Sequence, residues 1–120
     1  MKLLKVDQFL ALPEGVIFTP AAQQWAFDAL RVKGETIFVD GRARGYWELY
    51  LDTIQSDGTT GDEGDTFVRL DRMLNDGASF PMNEDMIKEL PVDPSMLFLV
   101  LEDDDLDRLS VLALAAKGKI

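Results

Sequence analysis

The strongest constraint on the fold is an Asp-Gly dipeptide between two strand-like runs. Asp40 and Gly41 separate the runs 34–39 and 42–51, which are rich in β-branched and aromatic residues. Asp-Gly favours a tight turn with positive φ, and such turns match the twist of paired strands. The sequence therefore predicts a β-hairpin with Asp40 and Gly41 as its two turn residues.

A two-residue turn fixes which side chains of the hairpin share a face, because side chains alternate along a strand. The more apolar face is the predicted core face, and it carries Thr36, Phe38, Ala43, Trp47, Leu49 and Leu51. The opposite face mixes charged, aromatic and aliphatic side chains: Ile37, Val39, Arg42, Arg44, Tyr46, Glu48, Tyr50 and Asp52. We interpret this second face as a half-covered or contact surface. The same register pairs Glu35 with Tyr46 and Lys33 with Glu48.

The remaining elements place strands early and helices late. Two short apolar runs, 16–19 and 96–101, predict further strands, and the second is expected to be central because it is apolar on both faces. Four segments are predicted as helices from apolar spacing, capping residues and helix breakers: 8–12, 66–75, 84–90 and 104–116. This order predicts an α+β fold with a mainly antiparallel sheet of about four or five strands, packed by two or three helices from the C-terminal half.

Length and composition predict one domain spanning residues 1–120, since 47% of the residues are hydrophobic and can supply a core. The segment 55–65, QSDGTTGDEGD, has no apolar residue and is predicted as a flexible, acidic and glycine-rich loop. No run approaches the roughly 18 apolar residues of a membrane span, and the first residues lack the apolar region of a signal peptide. We therefore expect a cytoplasmic protein that does not bind membranes.

The absence of histidine and cysteine removes several functional classes. Imidazole acid–base catalysis, thiolate and Ser-His nucleophiles, disulfides and the usual zinc and haem ligands all need these residues. The acidic loop 55–65 also lacks the spacing of a calcium-binding EF-hand, because Thr59 and Gly61 stand where acids or amides are needed. We therefore expect no catalytic residue, no cofactor and no metal ion.

Charge is the clearest functional signal. The chain has 22 acidic and 12 basic side chains, which gives a formal net charge of −10, and the acidity is concentrated after residue 44. Such a field repels nucleic acid and attracts basic partners. We therefore predict a basic protein partner and no direct contact with nucleic acid. The acidic residues predicted to bind it are Asp57, Asp62, Glu63, Asp103, Asp104, Asp105 and Asp107.

A second candidate surface is basic and aromatic. It lies on the predicted hairpin and consists of Arg31, Lys33, Arg42, Arg44, Tyr46 and Tyr50. Basic residues interleaved with aromatic residues on a sheet can bind an anionic ligand. The alternative interpretation is structural, because Lys33 and Glu48 are predicted to form a cross-strand ion pair.

The segment 97–109 joins an apolar strand directly to the acidic run 102–105 and an amphipathic helix. It resembles the opening strand and helix of response-regulator receiver domains, whose acidic pair holds Mg²⁺ beside a phosphoryl-accepting aspartate. In receivers four more βα units follow this element, whereas none follows here. The resemblance implies a metal or phosphoryl site at residues 103–105. The alternative is that these acids cap the helix and favour the positive end of its dipole.

The first half of the chain carries a second likeness. Residues 9–18 read FLALPEGVIF and residues 33–36 read KGET, followed by an aromatic-rich strand. This order is similar to that of small uncharacterised proteins of bacterial genomes and their phages, in which an LPEG-type turn precedes a strand and a KGET-type segment begins a hairpin. The resemblance implies a phage or mobile-element accessory protein, and it carries over no activity and no functional residue.

These observations lead to one main hypothesis: a non-enzymatic, acidic protein-binding module of a phage or mobile element, acting in the host cytoplasm. It is expected to inhibit a host defence or nucleic-acid-binding protein by presenting a carboxylate-rich surface. One alternative is a small enzyme or regulator that depends on a divalent cation at residues 103–105. Another is an immunity protein, or an anionic-ligand module that uses the basic hairpin face. The oligomeric state, including a homodimer, stays open.

Overall fold

The computed structural model describes residues 1–21, 28–55 and 63–120, and of residues 63–65 only the backbone is described. The strands within these ranges are β1 Lys2–Lys5, β2 Ile17–Ala21, β3 Arg31–Val39, β4 Arg42–Tyr50, β5 Ile87–Glu89 and β6 Leu97–Val100. The helices are α1 Val6–Leu10, α2 Glu63–Asp76 and α3 Asp103–Ala116. The strands form one antiparallel sheet in the order β1-β6-β2-β3-β4-β5. The predicted α+β fold is confirmed, with six strands instead of four or five.

The hairpin of β3 and β4 has the predicted turn. The backbone φ is 53° at Asp40 and 77° at Gly41, as expected for a two-residue turn that follows strand twist. Lys33 also lies opposite Glu48, as predicted, but the predicted ion pair between them is wrong, because Glu48 binds Arg31 and the ammonium group of Lys33 donates to Gly34 and Thr36. The local Asp-Gly signal therefore sets both the turn and the register at the far end of the hairpin.

Between these two points the register deviates twice, and the deviations cancel. β4 carries an extra residue next to Gly45, and β3 carries one next to Gly34, so Tyr46 pairs with Thr36 instead of the predicted Glu35. Glycine inside a strand commonly marks a bulge or a close approach of another backbone. The two bulges move side chains between faces in the middle of the hairpin, which simple alternation does not anticipate.

The predicted core face of the hairpin is wrong. Tyr46 and Glu48 are only 2% and 0% exposed, whereas Phe38 is 65% exposed and Trp47 is half-buried. Helix α1 and phenylalanines from β2 and β6 cover the face that carries Tyr46. Arg31 and Glu48 on this face are buried as an ion pair, and the ammonium group of Lys33 is buried with uncharged acceptors. The hydropathy of the hairpin alone therefore favours the opposite face.

The core is a cluster of aromatic rings. Phe9 from α1 stacks on Phe98 from β6 with ring centroids 3.9 Å apart. Phe18 and Tyr46 contact the ring of Phe9 at centroid distances of 4.6 and 5.1 Å. Offset-stacked and edge-to-face arrangements of this kind add to the free energy gained from burying apolar area. Helix α1, which begins two residues before the predicted segment 8–12, therefore determines which face of the sheet is covered.

Both edges of the sheet differ from the sequence prediction. The helix predicted over 84–90 is wrong, because β5 pairs with β4 and places Lys88 opposite Trp47. The open edge of β4 offers backbone partners, and tertiary pairing outweighs a short helical spacing. β1 was not predicted, and it pairs with β6 through Lys2 opposite Val100. As expected, β6 is an interior strand, between β1 and β2.

The long helices lie outside the aromatic core. The loop predicted over 55–65 falls mostly on residues 56–62, which are outside the described residues, and its last three residues begin α2. Helix α3 matches the predicted segment 104–116 to within one residue, and none of its residues is buried. Helix α2 exposes 67% of Phe67 and 83% of Leu74. In the described parts of the chain, no helix has the length and apolar character needed to cross a membrane.

Candidate functional site

A pocket of about 310 Å³ opens beside the aromatic core. Strands β2, β3 and β4 supply one part of its wall, and the chain from β5 to β6 supplies the other. The lining residues are Pro20, Asp28, Arg31, Tyr46, Tyr50, Glu89, Pro91, Val92, Asp93, Met96 and Phe98. A concave site with aromatic and apolar walls and a few convergent polar groups has the character of a ligand-binding site.

Arg31 is the central polar residue of this pocket, and its side chain is only 9% exposed. Its Nη1 donates to both carboxylate oxygens of Glu48, at 2.9 and 3.0 Å. Its Nη2 donates to Oδ2 of Asp28 at 2.7 Å. The guanidinium group also lies over the ring of Tyr50, 4.3 Å from the centroid. Burial lowers the pKa of Arg31, but the hydrogen bonds and charge of Glu48 outweigh burial and raise it overall.

The charge of Glu48 also acts on both tyrosines of the chain. Burial raises the pKa of Tyr46, and the charge of Glu48 and a hydrogen bond to it raise it further. The pKa of Tyr50 is raised by the same causes in the same order. Buried ion pairs are tolerated when geometry and further hydrogen bonds satisfy the charges. The Arg31–Glu48 ion pair, with the Tyr50 ring beside its guanidinium group, therefore holds this wall of the pocket in one arrangement.

Three carboxylates stand around the pocket: those of Asp28, Glu89 and Asp93. Asp93 accepts hydrogen bonds from the backbone N–H and the hydroxyl group of Ser95, both at 2.8 Å. The hydrogen bond from the backbone is the larger cause, and together the two bonds lower the pKa of Asp93 and keep it ionised. Oδ1 of Asp28 accepts from the backbone N–H of Ala29 at 2.8 Å, which fixes the carboxylate beside Arg31.

The charges of the site do not cancel. The buried carboxylate of Glu48 matches the positive charge of Arg31, and this leaves the carboxylates of Asp28, Glu89 and Asp93 without an equal number of cations in the lining. The pocket is therefore anionic at neutral pH. Within the described residues, Nε of Arg31 is buried without a hydrogen-bond acceptor, and an unsatisfied buried donor costs free energy.

The structure separates the basic residues predicted from the sequence. Arg31 lines the pocket with Tyr46 and Tyr50. Lys33 is 1% exposed, and its ammonium group donates to Oγ1 of Thr36 at 2.8 Å. Burial lowers its pKa, and the charge of Glu14 opposes this shift.

Arg42 and Arg44 lie at the other end of the hairpin, where both are exposed. They line a different cleft, next to Asp7 and Phe38. The six residues therefore do not form one anion-binding face. Of the cations among them, the two closest to the tyrosines are buried and already partnered.

The predicted acidic residues are also in different places. Asp57 and Asp62 lie outside the described residues, and of Glu63 only the backbone is described. Asp103, Asp104 and Asp107 are exposed at the start of α3. Oδ2 of Asp105 accepts from the N-terminal ammonium group at 2.7 Å and from the backbone N–H of Glu102 at 2.9 Å. The pKa of Asp105 is lowered, mainly by the hydrogen bond from that ammonium group and further by the one from Glu102.

In the described part of the chain, no group of three acidic side chains has the arrangement needed to hold a metal ion. Sequence reasoning did not select Asp28, Glu89 or Asp93, because they meet only after the sheet has formed. A weak local signal existed for Asp93, since Asp-x-Ser is typical of a turn in which the aspartate accepts from the residue two positions on.

Comparison with known proteins does not add to this geometry. No family model, curated protein or solved structure matches the chain.

Proposed function

We propose that this chain is a non-enzymatic protein-binding module whose anionic pocket receives a lysine or arginine side chain from a basic segment of its partner. The observation that carries the proposal is the excess of carboxylates around an apolar and aromatic cavity, in a chain with a net charge of −10. A long basic side chain has an aliphatic stem and a charged head, which match such walls and such a rim.

The buried ion pair supports a cationic ligand over an anionic one. Among the described residues that line the pocket, Arg31 is the only cation, and Glu48 and Asp28 already bind its guanidinium group. An incoming carboxylate or phosphate would compete with these two partners and would also face Glu89 and Asp93. A cation instead gains from the rim carboxylates and leaves the buried pair intact.

A basic peptide fits the site better than a free amine does, because its further cations also gain from the net charge of −10 of the chain. The net charge of the chain would accelerate the encounter with a basic segment, and this acceleration weakens as salt rises.

The test is the affinity of a panel of arginine- and lysine-rich peptides, measured by fluorescence anisotropy at two salt concentrations. Neutralising the rim with Glu89→Gln and Asp93→Asn is expected to weaken binding about tenfold, which corresponds to 1.4 kcal/mol. The matched control removes the same two charges from α3, with Asp104→Asn and Asp107→Asn, and is expected to bind as the wild type does. Equal weakening in both variants would mean that only net charge matters. Weakening in the control alone would place the contact on the acidic residues of α3.

The more specific hypothesis, inhibition of a host nucleic-acid-binding protein, stays a prediction. In that case the chain should release DNA from the basic protein and should not itself retard DNA at physiological salt. Retardation of DNA by the isolated chain would contradict both the inhibitor hypothesis and the basic-partner proposal.

A further inference from the structure

Helix α3 has a composition typical of a buried helix, yet the structure leaves it exposed. From Leu109 to Ala116 the sequence reads LSVLALAA, with one polar residue. A helix that is apolar on all sides is normally covered by other protein. Here Val111 and Leu114 are each 65% exposed, and none of the helix is buried. Only the opposite side approaches the sheet, where Leu109 and Leu112 line a cleft with Leu101.

The chain exposes more surface than a compact monomer of its mass. The chain exposes 8444 Å², whereas a compact monomer of 13.4 kDa is expected to expose about 6,500 Å². The excess is larger than the roughly 800 Å² that each partner contributes to a standard protein–protein interface. The exposed area is therefore large enough for an interface that covers α3 and leaves the sheet unchanged.

The outer face of α3 carries a charge pattern that selects its partner. Positions 104, 107, 111 and 114 follow spacings of three and four, which place them on one face of a helix. Asp104 and Asp107 come first, Val111 and Leu114 follow, and Lys117 lies just beyond the helix. The face is thus acidic at one end and apolar in the middle, and two lysines, Lys117 and Lys119, follow the helix beyond its other end.

We infer that this face binds a second copy of the chain, with the two α3 helices antiparallel about a twofold axis. Val111 of each copy then packs on Leu114 of the other. Asp107 of each copy lies opposite position 118 of the other, between Lys117 and Lys119. A parallel pair would instead place acidic ends against each other, and like charges in this arrangement destabilise association.

The dimer is independent of the proposed pocket and responds differently to salt. Two chains with a net charge of −10 repel each other, and added salt screens this repulsion. Dimerisation should therefore strengthen severalfold from low to physiological salt, while binding of a basic peptide weakens. Failure of one result leaves the other intact.

The experiment is sedimentation equilibrium of the full chain across a range of concentrations, with a dimer identified as twice the 13.4 kDa of the chain. Val111→Glu with Leu114→Glu is expected to give monomers, with an unfolding transition that matches the wild type at concentrations where the wild type is also monomeric. Phe67→Glu on α2, which alters a side chain that is 67% exposed, is the matched control and should still dimerise. A monomeric wild type, or a Val111→Glu/Leu114→Glu variant that still dimerises, would overturn the inference, as would dissociation by Phe67→Glu.

Because the chain contains no cysteine, disulfide trapping can report orientation. Asp107→Cys mixed with Lys117→Cys should cross-link efficiently, whereas Lys117→Cys alone should not. The reverse result would indicate a parallel pair and would contradict the antiparallel arrangement.

Discussion

Charged side chains in the sheet are buried more deeply than leucines in helix α3. Lys33 and Glu48 are 1% and 0% exposed, whereas Leu112 and Leu114 are 54% and 65% exposed. The charges are tolerated because each has partners, above all the two hydrogen bonds from Arg31 to Glu48. Leu114 is exposed because within the described residues nothing covers the outer face of α3, and Leu112, on the side that approaches the sheet, is only partly covered.

The two regions differ in what holds them in place. In the sheet, the ring of Phe9 and the Arg31–Glu48 pair join residues that are far apart in sequence, so the region is specified by tertiary contacts. Helix α3 is specified by local composition, with acids in its first turn and alanine and leucine after them. The comparison indicates that the sheet carries the stability of the monomer, while α3 is available for association.

The largest expected effect tests where the stability lies. Phe9→Ala should lower the free energy of unfolding by about 3–5 kcal/mol, because the ring is fully buried against Phe98. Leu114→Ala should change it by no more than about 0.5 kcal/mol, as for other exposed sites. Urea unfolding at low protein concentration, where the chain is monomeric, measures both. Similar losses in the two variants would mean that α3 belongs to the folded core.

A smaller effect is expected at the buried ion pair. Glu48→Gln should cost about 1.5–3 kcal/mol, because it leaves the guanidinium group of Arg31 buried without its charged acceptor. Replacing both partners with apolar residues, Arg31→Met and Glu48→Leu, should recover most of that loss, since removal of a whole buried pair is often nearly neutral. The same urea measurement applies. If the double variant is less stable than Glu48→Gln, the pair stabilises the fold beyond satisfying its own charges.

These two sites show what the sequence could predict. The turn at Asp40 and the pairing of Lys33 with Glu48 were predictable because local chemistry and strand alternation determine them. The covered face of the hairpin was not, because Phe9 and Phe98 reach it from opposite ends of the chain. Hydropathy also treated the charges of the hairpin as exposed, whereas their pairing allows them to be buried.

The same limit applies to the candidate site. Arg31 and the tyrosines were singled out by residue type, and they do line the pocket. The predicted binding of an anion depended on a free positive charge on Arg31, and the ion pair with Glu48 neutralises that charge. The rim carboxylates of Glu89 and Asp93 were not found, because β5 was predicted as a helix and the pairing of β5 with β4 brings Glu89 to the pocket.

A third prediction concerns pH and again separates the buried region from the exposed one. The pKa values of both tyrosines are raised in the folded chain, chiefly by burial. Below pH of about 10, the pKa of an unfolded tyrosine, their protonated forms contribute their full stability. Above it the unfolded chain loses protons first, so stability falls as pH rises. Ultraviolet titration should therefore show tyrosine ionisation beginning at higher pH in buffer than in urea, and identical curves would contradict the burial of the two phenol groups.

The smallest expected effect concerns the acidic start of α3. Millimolar Mg²⁺ or Ca²⁺ should leave the Tm unchanged relative to NaCl of equal ionic strength, which controls for screening. The carboxylate of Asp105 is already engaged by the N-terminal ammonium group and by the N–H of Glu102, so a cation would have to displace both. A bound cation must raise the Tm by mass action. A rise of several degrees that Asp104→Asn abolishes would therefore restore the receiver-like interpretation of residues 103–105.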